Sequence, residues 1–365
     1  VITKQISNAG TSIWLDDLSR SKITDTDPHS LPYRIAQNNV VGVTTNPSIF
    51  NSAISKGSEY ASSILDLKSR SAEDVVQILT TDDVRSACDL FTAIYESTAG
   101  VDGRVSIEVD PRLAHDTHGS IEQGRQLWKI VDRPNALIKI PATDEGLNAI
   151  TSLISEGISV NVTLIFSIER YLQVFDAFLQ GLENRLAAGQ SLASVTSVAS
   201  FFVSRIDTAV DTILKKANSP SSTALLGKAA IANAVLAYQA FEIQSSSVRW
   251  KTLEARGARI QRPLWASTGV KDPAYADTRY VMELIAPNTV NTMPQATLDA
   301  VIDHGVLHKV SLESEYAKSQ SVFYSLEKVG VSISEVTGSL EIDGVKKFAD
   351  SWSELLDNVA KVLGE

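Results

Sequence analysis

Short runs rich in β-branched and apolar residues recur down the chain at 12–17 (SIWLDD), 40–46 (VVGVTTN), 105–110 (VSIEVD), 136–142 (ALIKIPA), 160–167 (VNVTLIFS), 197–204 (SVASFFVS), 263–268 (PLWAST) and 288–293 (NTVNTM). Runs of this kind are the mark of strands buried on both faces of a parallel sheet. Helical patterns lie between them. Ser167 and Glu169 open one, with Leu172, Phe175, Phe178, Leu179, Leu182 and Leu186 at three- and four-residue steps. Another runs from Asp144 to about Glu156, where Thr143 is placed to cap the start, Leu147, Ile150 and Ile154 form the stripe, and Gly157 closes the end. The interval between the second and third strands holds two helical patterns. A stripe of Val345, Phe348, Trp352, Leu355, Leu356, Val359 and Val362 predicts a C-terminal helix over about 343–363 that must pack on something apolar, the barrel being the surface expected.

Strands alternating with helices predict an α/β chain, a single (β/α)8 barrel with additional helices. Such a barrel typically needs about 250 residues, so the rest of the 365 goes into extra helices. No internal repeat is visible, and the linker-like stretch NSPSSTALLG (218–227) falls between two helices, so residues 1–365 are expected to form one domain.

Composition narrows the function classes. An apolar content of 44% permits one large core or two smaller ones. A formal charge of -10 without a long basic run argues against nucleic acid as the main partner, whereas a small anionic metabolite can still be held by local cations. The single Cys88 rules out an intramolecular disulfide framework and a cysteine-based zinc cluster, and the helix-like stretch around it, RSACDLFTAIYES, points to burial. No run of about 18 apolar residues is present, and VITKQISNAGTSIW lacks a basic region followed by an apolar one, so a soluble, cytoplasmic chain with no membrane partner is expected. Nothing in the sequence signals an oligomeric state.

The candidate chemistry comes from strand parity. In ALIKIPA, Leu137 and Lys139 share one face and Ala136, Ile138 and Ile140 the other, so Lys139 points inward if the isoleucines meet the helices. An ammonium is costly in an apolar interior, which favours the neutral, nucleophilic amine. The bland alternatives are a lysine paired with a buried carboxylate or one snorkelling to water from a strand end.

The same parity turns Ser106 and Glu108 inward in VSIEVD, Asp16 with Trp14 and Ser12 in SIWLDD, Asn161 and Thr163 in VNVTLIF, and Thr44 and Asn46 in VVGVTTN. All lie toward the C-terminal ends of their strands, the face on which barrel enzymes assemble active sites. A purely structural hydrogen-bonded network is the competing reading. Asn46 precedes Pro47 and is also placed as a helix N-cap, and a one-residue bulge would exchange Asp16 with Asp17.

In SFFVSRIDTAVDTIL a helix with the stripe Ile206, Val210, Ile213 and Leu214 carries Arg205 in its first turn. A cation there opposes the helix dipole, a placement explained by an anion such as phosphate shared with backbone N–H groups. The alternative is an exposed arginine paired with Asp207. Lys271 is a weaker second phosphate cation. His115 and His118, and His304 and His308, lack a convincing third ligand, so no metal is expected. No GxGxxG or GxxxxGK[ST] element follows a strand.

WLDDLSR, GVTTNPSIF, VSIEVDPRL, LIKIPAT, NVTLIFS and SFFVSRI, in this order over roughly residues 10 to 310, resemble the transaldolase family. The resemblance implies a metal-free and cofactor-free class I reaction in which Lys139 attacks the ketone of sedoheptulose 7-phosphate or fructose 6-phosphate. It further implies that Asp16 takes the C4 hydroxyl proton, and that Glu108 serves carbinolamine dehydration through a water held with Thr163. Asn46 and Asn161 would bind the dihydroxyacetone unit, and Arg205 the phosphate with Ser200 beside it. Where many family members carry Ser-Phe-Arg after the seventh strand, this chain has Ser267-Thr268-Gly269-Val270-Lys271, so the second phosphate ligand differs. Phe202 follows the transaldolase pattern, whereas the similar fructose 6-phosphate aldolases tend to place tyrosine there. A Schiff-base aldolase releasing free dihydroxyacetone and a silent sugar-phosphate-binding barrel are the rivals.

Overall fold

A computed structural model describes residues 1–307 and 311–364. Eight parallel strands close into a barrel in chain order: β1 (Thr11–Asp16), β2 (Val40–Thr44), β3 (Arg104–Glu108), β4 (Ala136–Pro141), β5 (Val160–Ile165), β6 (Ser197–Phe202), β7 (Arg262–Ala266) and β8 (Thr289–Met293). This is the (β/α)8 barrel that the alternating runs predict. Outward residues of β4, Ile138 and Ile140, are fully buried, because helices cover the outer face of the sheet.

Most strands stop before their predicted C-terminal ends. β2 ends at Thr44 and β5 at Ile165, because the residues just beyond begin the next helix. Asn46 and Ser167 are N-caps whose side chains accept from the backbone N–H of Ile49 and Arg170 at 3.0 Å each. Thr143 caps the helix Asp144–Glu156 as expected, and Gly157 ends it with φ at +91°.

Several helical expectations are corrected. The interval between β2 and β3 contains the α-helices Pro47–Lys56, Ala61–Asp66, Ala72–Leu90 and Thr92–Ser97, more than the two predicted, with Gly57 and the cap Ser71 dividing the first three. Leu172 and Ile213 are partly exposed rather than on their helices' buried stripes. In Ile168–Ala187 the packed face keeps Phe175, Phe178, Leu179 and Leu182, with Tyr171 and Val174 in place of Leu172. The C-terminal helix spans Ile333–Leu363, starting ten residues before its predicted beginning at 343. Its first turns carry only scattered apolar residues such as Val336, so its start is set by the Ser332 cap instead of a stripe. It packs against the helices Pro47–Lys56 and Ala72–Leu90 and reaches β5 at the barrel rim. Cys88 is buried in the core.

The N-terminal end of the barrel is plugged. The Trp14 indole fills it, and a Cβ on Gly42 would stand 2.6 Å from that ring, so β2 can pass only as glycine. Asp102 accepts from Ser12 (2.8 Å) and pairs with buried Arg262 (2.9 Å), a closed polar group beneath the indole. Above this layer, the polar side chains that point into the barrel face its C-terminal mouth.

Candidate active site

Strand register brings the inward polar residues into one place. Lys139 on β4 pairs at the Cα level with Glu108 on β3 and with Asn161 on β5. Lys139 is buried at 4% exposure, and its Nζ donates to the Thr45 carbonyl at 2.8 Å. Glu108 Oε2 lies 3.3 Å from the same nitrogen, an ion-pair contact without the alignment of a hydrogen bond. The lysine thus has the carboxylate partner of the bland reading, and that pair borders an open chamber.

The chamber is lined by Asp16, Thr44, Asn46, Lys139, Thr163, Ser200, Phe202, Arg205, Ser267 and Lys271, all singled out from the sequence. Glu108 borders a neighbouring cavity that shares the lining residue Asn46, so the Lys139–Glu108 pair stands between the two spaces. Asn161 lies deeper: its amide donates to Ser106 Oγ (2.9 Å) and accepts from Ser200 Oγ (2.7 Å), and it is fully buried. Asn46 combines its capping role with a place in the chamber wall.

Asp16 and Asp17 separate clearly. The register shift in β1–β2 pairing falls between Ile13 and Leu15 and inserts its extra residue in β2, so Asp16 keeps its inward direction. Its carboxylate accepts from Thr44 Oγ1 at 2.6 Å, whereas Asp17 turns outward to Lys22 at 3.1 Å. Burial raises the Asp16 carboxyl above its ordinary range, with Lys139 and the Thr44 hydroxyl opposing the rise. Burial likewise raises Glu108 against the pull of Lys139, so this carboxyl holds a proton more readily than a surface glutamate.

Arg205 does not pair with Asp207. That aspartate is buried and accepts from the Ala230 N–H (2.8 Å) and the Tyr280 hydroxyl (2.7 Å). Arg205 instead stacks over Phe202, 5.3 Å from the ring centroid, and its buried Nη1 has no hydrogen-bond partner among the described residues. Burial lowers its pKa, with Asp16 and Asp343 opposing. A buried guanidinium nitrogen without a partner among the described residues, beside a polar chamber and at the start of the helix Ser204–Ala217, can hold an anion. Lys271 is exposed on the chamber's outer lip.

Left-handed backbone, a costly conformation outside glycine, occurs at the chamber residue Ser267, with φ at +54°, and at Leu164, the neighbour of the chamber residue Thr163, with φ at +60°. The Thr163 hydroxyl is buried with no partner among the described residues. Residues not foreseen also line the space: Thr292, which shares a 2.6 Å contact with Thr44, along with Ser48, Pro294 and Phe348. Strand parity in NTVNTM could have revealed Thr292. Phe348 sits in a stripe indistinguishable from any docking face.

Exposed His115 and His304 pair with Glu145 (3.0 Å) and Asp277 (2.8 Å), and His308 lies outside the described residues. Among the described residues no helix is long and apolar enough to cross a membrane.

A family model described as Transaldolase/Fructose-6-phosphate aldolase matches residues 13–359. The chain is 55% identical to a protein named Transaldolase from Thermobifida fusca, over 99% of this chain and 98% of that protein. It is 56% identical to a Transaldolase from Mycolicibacterium smegmatis, over 96% of this chain and 95% of the relative. A protein named Transaldolase 1 from Streptomyces avermitilis is 54% identical over 99% of this chain and 95% of its own length.

Proposed function

The chain belongs to the transaldolase/fructose-6-phosphate aldolase family and is an enzyme with transaldolase function, and we propose that it works through a Schiff base on Lys139. The observation that carries this reading is the buried amine at a chamber wall, 3.3 Å from a carboxyl that burial keeps ready to hold a proton.

The Lys139 amine adds to the ketone carbon of a donor such as sedoheptulose 7-phosphate or fructose 6-phosphate. Glu108 receives a proton from the amine and returns it to the departing hydroxyl, which leaves as water assisted by Thr163. Asp16 then takes the proton of the C4 hydroxyl as the C3–C4 bond breaks, and the bonding electrons move toward the iminium nitrogen. An aldose phosphate leaves and a three-carbon enamine stays on the lysine. Its carbon attacks the aldehyde of an acceptor such as erythrose 4-phosphate or glyceraldehyde 3-phosphate, Asp16 returns its proton to the new alkoxide, and hydrolysis frees the lysine.

Arg205 binds the phosphate, supported by its unpartnered buried Nη1, with Lys271 and Ser267 nearby on the rim. Asn46 and Thr44 serve the dihydroxyacetone end from the wall. Asn161 and Ser200 act through the network that fixes them under the lysine, from which Asn161 still has a second amide hydrogen to offer. Phe202 supplies an apolar wall. Such chemistry fits the pentose phosphate pathway, and sugar phosphates as substrates are consistent with a cytoplasmic setting.

Borohydride treatment with fructose 6-phosphate is expected to leave a reduced three-carbon adduct on Lys139 in peptide mass mapping. An adduct on another residue, or none, would refute the assignment. Product formation that is strongly accelerated by an aldose phosphate acceptor distinguishes transfer from simple aldol cleavage, which relatives named Transaldolase over nearly the full chain do not favour.

A further inference from the structure

The chamber is completed by a side chain from the far end of the chain. Phe348 is buried at 4% exposure, and its ring centroid lies 5.7 Å from Lys139 Nζ. One turn earlier, a Cβ on Gly344 would meet the Leu164 side chain at 3.0 Å and the Phe166 ring at 3.4 Å, so the C-terminal helix comes down close to the end of β5. Polar contacts fasten the same helix to the rim: Ser351 to Ser48 at 2.8 Å, Glu354 to Asn51 at 2.8 Å and Asn358 to Ser55 at 3.0 Å. The ring is therefore held over the amine by a docked element rather than by a loose loop.

The reaction needs such a cover at one particular moment. After the first aldose has gone, the enamine carbon can attack an acceptor aldehyde, or it can take a proton from water. In the second course the resulting iminium adds water and breaks its C–N bond, releasing free dihydroxyacetone and the lysine, and no transfer occurs. A phenyl face offers no acidic proton, keeps water from its side of the chamber and attracts the positive iminium nitrogen.

We propose that Phe348 is the roof of the Schiff-base chamber and a specificity-determining residue that sets how the enamine partitions between transfer and hydrolysis. This rests on the assignment of the Schiff base to Lys139. The quantity to measure is free dihydroxyacetone released from fructose 6-phosphate without acceptor, divided by the rate of transfer to erythrose 4-phosphate. F348A is expected to raise this ratio about tenfold, F348V by less, and F348L, which keeps an apolar cover, by under about twofold. If F348A fails to fold, F348V against F348L carries the same comparison. Equal ratios in folded variants that still form the borohydride adduct on Lys139 would overturn the roof alone. Absence of that adduct in the unaltered protein would instead sink the lysine assignment, and the roof with it.

Discussion

Glu108 and Lys139 are register partners on adjacent parallel strands, and their side chains meet at 3.3 Å inside the barrel. The acid and the amine are thus matched by backbone pairing, not by a flexible loop. Glu108→Gln keeps the shape and removes the group to which proton transfer is assigned in the proposed mechanism. We expect kcat to fall by about a hundredfold or more with KM little changed. Stopped-flow quench into borohydride should show the Lys139 adduct accumulating more slowly, and unchanged accumulation would remove Glu108 from the dehydration step.

Asp16 couples stability to pH. Its carboxyl is raised on folding, so the folded chain binds that proton more tightly than the unfolded chain. The stability it contributes is whole below the ordinary value of 3.8 and is lost as pH rises through the folded value. Asp16→Asn cannot ionise and can still accept from Thr44. It should melt higher than the unaltered protein at neutral pH, by on the order of 1 kcal/mol, while losing carbon–carbon cleavage. Thermal melts from pH 4 to 8 check this, and a difference that fails to shrink toward acid contradicts it.

Arg205→Ala should raise KM for fructose 6-phosphate by about 10- to 100-fold, the range of a lost charged hydrogen bond, with a smaller effect on kcat. Lys271→Ala should do less, because its charge is exposed and screened. Comparing phosphorylated with unphosphorylated fructose isolates the phosphate contribution. A loss by Arg205→Ala that is equal for both sugars would mean the residue does not read the phosphate.

Gly42→Ala tests the plugged end. The added carbon would lie 2.6 Å from the Trp14 ring, and overpacking of this kind costs about 1–3 kcal/mol. Urea unfolding should show the shift in midpoint without a change in slope, and an unshifted midpoint would show that the indole moves freely.

Much of this architecture was readable in the chain. Parallel strands packed on both faces leave uninterrupted apolar runs, and parity alone turned Asp16, Glu108, Lys139 and Thr163 inward. Strand ends were less legible, because Asn46 and Ser167 belong chemically to either a strand tail or a helix cap, and only the hydrogen bond decides. Asn161 carries no mark of its ties to Ser106 and Ser200, since those depend on register across three strands. The early start of the C-terminal helix was hidden because its first turns dock with few apolar side chains, and the close approach of Gly344 to Leu164 leaves no mark in the sequence.

The placement of Phe348 has a consequence for biosynthesis. The barrel's eight strands leave the ribosome well before residue 348, so a nascent chain can curl up its sheet with the reactive amine still uncovered. On the role proposed for Phe348, fidelity of transfer improves when the closing helix docks, and a protease that clips this helix would leave a barrel that spills more of its three-carbon cargo to water.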